Sequence, residues 1–111
     1  MLNGLTQNLQ RYMDLLSARQ KLVASNIANA DTPGYQTQDI DFQFEYQNAM
    51  GDLPPATVNV PGLKTKPDGN NVDMDRESRL LSENALRFNL ASTLIKGDFK
   101  AVRSAIEEGK S

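Results

Sequence analysis

Asp39 and Asp41 are the first side chains in this sequence whose types and spacing could do chemistry. On an extended strand a D-x-D pair projects both carboxylates to one face, where they could hold a hard cation or act as an acid/base pair. The surrounding "DIDFQFEYQ" offers a plainer account. Its alternation places Ile40, Phe42, Phe44 and Tyr46 on the opposite face, so the aspartates would be a solvent-facing polar edge over a buried aromatic one. A second acidic run, Asn71, Asp73 and Asp75, copies the first three ligand positions of a calcium loop. It then puts Arg76 where glycine is needed and Ser82 where glutamate is needed, so that match fails.

The chain has no cysteine and no histidine. Disulfides, thiolate ligands, a cysteine nucleophile and the commonest general base are therefore excluded. A formal charge of −2 with no basic run argues against nucleic acid. No catalytic residue, metal, cofactor or small-molecule substrate is assigned, and the expectation is a protein that is not an enzyme.

What remains is a helical scaffold. Apolar residues recur at steps of three and four through Leu2, Leu5, Leu9, Tyr12, Leu16 and Val23, interrupted by Arg19. The C-terminal third repeats the pattern through Leu81, Ala85, Phe88, Ser92, Ile95, Phe99, Val102 and Ile106. Leu15 and Leu22 form a second stripe beside the first seam. Leu80, Leu90, Leu94 and Ala101 do the same beside the second. Both helices are thus wider in apolar surface than one partner can cover.

Between them, Pro54, Pro55, Pro61 and Pro67 exclude long helices. "DIDFQFEYQ" reads equally as a strand or as a short helix using Phe42, Tyr46, Ala49 and Met50, and "TVNV" as a brief strand. "PDGNN" is a turn, with Asp73 the N-cap of the last helix and Asp75 and Glu77 favoured in its first turn. The fold class is mainly α: long N- and C-terminal helices paired antiparallel, coiled-coil-like, around an irregular Pro/Gly-rich middle that could hold short strands. The boundaries are 1–35, 36–73 and 74–111, all one domain.

The first helix ends in "SNIANADTPGY". Asn26 and Asn29, three apart and so on one face, can offer amide donors to the last carbonyls or to a neighbouring backbone. Ala24, Ala28 and Ala30 permit close approach. Thr32 is pushed to an extended conformation, Pro33 and Gly34 suit the centre of a type II turn, and Tyr35 follows as an anchor.

"SNIANADTPGYQTQDIDF" resembles the signature of bacterial flagellar rod and hook proteins. "DIDF" and "DGNNVDMDRE" are similar to the basal body rod family, its proximal-rod members above all. The resemblance implies a structural axial subunit, exported by the flagellar type III apparatus without a cleaved signal. Met1–Gly4 accordingly shows no secretory start. It would assemble in the periplasm with copies of itself, other rod proteins, and the basal-body membrane ring and its rod adaptor. The resemblance makes Asn26, Ile27, Ala28, Asn29, Thr32, Pro33, Gly34 and Tyr35 an intersubunit contact, and the apolar periodicity makes Leu5, Leu9, Tyr12, Leu16, Val23, Leu81, Phe88, Ile95, Phe99, Val102 and Ile106 the packing seams. A helical-hairpin adaptor for another protein is the alternative function.

Overall fold

The computed structural model describes residues 4–48 and 54–109, apart from the side chains of Asp98 and Val102. Leu2, Ala49 and Met50, and the side chain of Val102, therefore fall outside what is described here. Five elements follow in order: α1 (Gly4–Ala28), β1 (Gln38–Ile40), α2 (Phe42–Gln47), β2 (Thr57–Asn59) and α3 (Met74–Glu108). The shape is elongated, 71 × 26 × 18 Å, because the 35 residues of α3 alone span about 52 Å at 1.5 Å per residue.

Helix α3 starts where Asp73, in an extended conformation, turns its carboxylate onto the amides of Asp75 and Arg76. Helix α1 has neither an acidic first turn nor a basic last one, so its stability must come from packing rather than from its dipole. Leu16 and Val23 are the centre of that packing, each only 1% exposed, together with Leu15, Leu80 and Ala91. Asn26 of α1 bonds Glu77 of α3, and Gln20 of α1 bonds Asn84.

The middle segment combines the two readings of its sequence instead of choosing one. Residues 38–40 are extended and pair antiparallel with 57–59, in the register Gln38 with Asn59, Asp39 with Val58 and Ile40 with Thr57. At Asp41 the chain turns into a helix, because that carboxylate accepts from the amide of Phe44 and caps it. Phe42, Phe44 and Tyr46 therefore do not share a strand face with Ile40. Phe42 and Tyr46 instead meet Tyr12 of α1 edge-on, with ring centroids at 5.3 and 6.2 Å, while Phe44 is exposed.

The line that α3 buries also differs from the expected seam. Within one chain it runs Glu77, Leu80, Asn84 and Ala91, and the seam residues Leu81, Phe88, Phe99 and Ile106 are exposed, with Ile95 partly so. The cause is polar: Asn26 and Gln20 supply partners that turn Glu77 and Asn84 inward. On α1, Tyr12 and Leu9 are half-buried and Leu5 is exposed.

Candidate functional site: a buried polar hub

Asn26 lies in the last turn of α1 and is completely buried. Its amide nitrogen donates to the Gln38 carbonyl at 2.9 Å and to Glu77 Oε1 at 2.7 Å. Its oxygen accepts from the Tyr35 hydroxyl at 2.9 Å and from the Gln38 amide at 3.1 Å. Two donors and two acceptors are all that this side chain has, and all are used.

Glu77 is equally buried, with Arg76 Nη1 donating to its other oxygen at 2.6 Å. Arg76 also reaches Asp39 Oδ2 through Nη2 at 2.6 Å, and Arg19 grips both Asp39 oxygens at 3.0 Å. The result is an alternating chain of charge, Arg19–Asp39–Arg76–Glu77, tied at its end to Asn26. Such a network is tolerable in a low-dielectric setting only when every member is satisfied. Burial pushes the Asp39 carboxyl up. The hydrogen bond from Arg19, the Ile40 amide, the Arg19 charge and the bond from Arg76 outweigh it and hold the group below its ordinary value. Arg19 further lies over the Phe42 ring at 5.6 Å.

A second layer closes the end of α1. Asn70 donates to the carbonyls of Asn29 and Thr32, and Lys66 donates to that of Ala30, which fastens the turn that follows α1. The Tyr35 amide donates to Thr32 across the turn, with Gly34 at φ +76°. Gly34 in turn donates to the Asp68 carbonyl. Asn71 accepts from both the amide and the hydroxyl of Thr37.

This geometry corrects one expectation. Asp39 is not a solvent-facing edge but a buried ion-pair partner of two arginines, and Asp41 is an exposed helix cap, so the pair shares no site. Within this chain the Asn26 amide is enclosed, and its donors and acceptors are taken by Gln38, Glu77 and Tyr35. Asn29 likewise donates to Ser25 and accepts from Thr32. Of the signature, Ala28, Thr32, Pro33 and Gly34 remain exposed, and Ile27 partly so. Sequence reasoning missed Arg19, Gln38, Asn70, Asn71, Arg76 and Glu77 as a set. Arg19 breaking an apolar seam was the one visible sign of it.

Every carboxylate in the hub is occupied by a guanidinium or an amide. Among the described residues no group of three histidine, cysteine, aspartate or glutamate side chains could hold a metal ion. The hub is a fully bonded polar joint beneath two long helices that leave apolar side chains exposed.

Known proteins say to which family the chain belongs. The sequence profile described as "Flagella basal body rod protein" matches residues 7–36, the stretch that holds most of α1 and its exit turn. The chain is 32% identical to the flagellar basal body rod protein FlgB of Yersinia enterocolitica, over 97% of both chains. It is 32% identical to FlgB of Escherichia coli K12, over 90% of this chain and 91% of that one. FlgB of Borrelia hermsii is 30% identical over 87% and 91%. The chain belongs to the FlgB family of flagellar basal body rod proteins and is a structural rod subunit, not an enzyme. The Yersinia alignment spans 133 positions, more than the 111 residues present here, so that relative carries segments this chain lacks.

Proposed function

We propose that this chain builds the proximal part of the flagellar rod, with its terminal helices paired antiparallel and packed against copies of itself and other rod proteins. Antiparallel pairing is supported by two cross-links: Asn26 with Glu77 and, further back along α1, Gln20 with the later Asn84. The observation that carries the assembly reading is the apolar surface left uncovered. Leu86, Leu90, Leu94, Phe99 and Ile106 on α3 and Leu5 on α1 are all more than 40% exposed, and contiguous exposed apolar surface marks association sites.

On this reading the exposed part of the signature, Ala28 and Thr32 to Gly34, is the portion available to neighbours. The hub behind it fixes its shape. The subunit reaches the periplasm through the flagellar type III apparatus without a cleaved signal and meets the membrane ring and its rod adaptor at the base. No helix among the described residues is long and apolar enough to cross a membrane. A strain lacking the gene tests this. Basal bodies purified from it should have rings but no rod, and a tagged copy should restore the rod and be found at its base. A complete rod in the deletion strain would refute the proposal.

A further inference from the structure

Two apolar surfaces of the helical pair lie on different sides of α3. The first is a groove of about 560 Å³ between α1 and α3, lined by Leu16, Ala24, Ala85 and Phe88, with Lys21 on its rim. The second is a ridge. Leu86, Leu90 and Leu94 follow one another at intervals of four and are 71%, 60% and 51% exposed. At 3.6 residues per turn, Leu86 and Leu90 stand about 160° around the helix from Phe88, so a chain cannot fill its own groove with its own ridge.

The two surfaces suit each other. An i, i+4, i+8 row of leucines is the kind of ridge that packs into the furrow between two helices. Small Ala24 and Ala85 make that furrow open. The charges agree as well. Lys21 is exposed and has no ion pair among the described residues. Glu83, one turn before the ridge, is held only loosely by Arg87 at 3.4 Å, with both side chains nearly half exposed.

We infer that the Leu86–Leu90–Leu94 ridge of one copy seats in the α1–α3 groove of the next, with Glu83 facing Lys21. This rests on the self-assembly proposed above and specifies its contact. Because the two patches differ, the contact is heterologous: each copy keeps a free groove and a free ridge, and the series does not close at two.

Complementary variants test it. Leu90→Arg spoils only the ridge and Ala24→Arg only the groove, and both sites are exposed, so circular dichroism should show unchanged helicity. In sedimentation at rising concentration the wild type should form an open series of oligomers and each variant should lose every species above monomer. A mixture of the two should stop at a one-to-one heterodimer, since one sound ridge and one sound groove remain. The chain has no cysteine of its own, so mixing Ser17→Cys with Leu90→Cys under a mild added oxidant, which accepts the two electrons, should give a mixed disulfide that neither yields alone. A wild type monomeric at all concentrations, oligomers indifferent to either arginine, or Leu90→Cys linking to itself would each overturn the inference. Rod incorporation in cells is a separate readout, so failure here leaves the rod assignment standing.

Discussion

Asn26 and Glu77 are 51 residues apart in sequence and 2.7 Å apart in space, and both are fully buried. Their bond joins the exit of α1, which lies within the profile-matched residues 7–36, to the entry of α3. The two stretches are therefore one three-dimensional object, a polar joint that sets how the helices leave the middle segment. Removing the Asn26 amide would strand Glu77 Oε1 and the carbonyl and amide of Gln38, and leave the Tyr35 hydroxyl with only the Ser25 hydroxyl at 3.3 Å. One buried polar group without a partner costs about 1–3 kcal/mol, so Asn26→Ala should destabilise by about 3 kcal/mol or more. Asn29→Ala loses bonds at a half-exposed helix end and should cost about 1 kcal/mol. Urea unfolding of the two variants checks the order, and equal losses would contradict it.

Asp39 makes stability depend on acidity. Its carboxyl is held below the ordinary value when folded, so below neutrality the unfolded chain binds the proton first. The contribution is complete above the unfolded value, about 3.9, and is lost as pH falls through the lower folded one. Wild type should lose stability between about pH 5 and pH 3 more steeply than Asp39→Asn, which is weaker at neutral pH but flatter. Thermal unfolding across that range measures the two slopes, and parallel slopes would rule out Asp39 as a source.

Gly34 and Gly69 interlock. Both have positive φ, +76° and +89°, and a Cβ on Gly69 would lie 3.2 Å from the Gly34 Cα, whereas one on Gly34 would meet nothing within 4 Å. Gly34→Ala should cost the left-handed strain alone, roughly 1–2 kcal/mol. Gly69→Ala adds a tight contact with the Gly34 backbone, which must give way slightly, and should cost more. The comparison is a difference in melting temperature between two single variants.

The helices were legible because their apolar spacing is local: α1, α3, the Asp73 cap and the reversal at Pro33–Gly34 all follow from residues within one or two turns. The hub was not, because its bonds are not local. Asp39 sits 20 residues from Arg19 and 37 from Arg76, and no periodicity connects them. The alternation after Asp39 misled for a related reason. Asp41, read as half of a pair, is the cap that ends the strand and starts α2. The seam on α3 was displaced because hydrophobic spacing gives no weight to Glu77 and Asn84, which are buried by their partners and not by their own character.

That displacement predicts a gradient of local stability along α3. From Glu77 to Ala91 the helix contributes four buried residues, whereas beyond Ala91 no described side chain is buried. Opening of a helix end needs only the contacts beyond it to be given up. In dilute monomer, amides around Glu77 to Ala91 and those of Leu16 to Asn26 should exchange slowly and together, while amides past Phe99 should exchange orders of magnitude faster. Assembly should erase the difference, because the exposed apolar residues Phe99 and Ile106 would then be covered. Hydrogen exchange read by mass spectrometry before and after oligomerisation measures both halves of this. Uniform protection along α3 in the monomer would mean that the distal helix is stabilised by something other than burial.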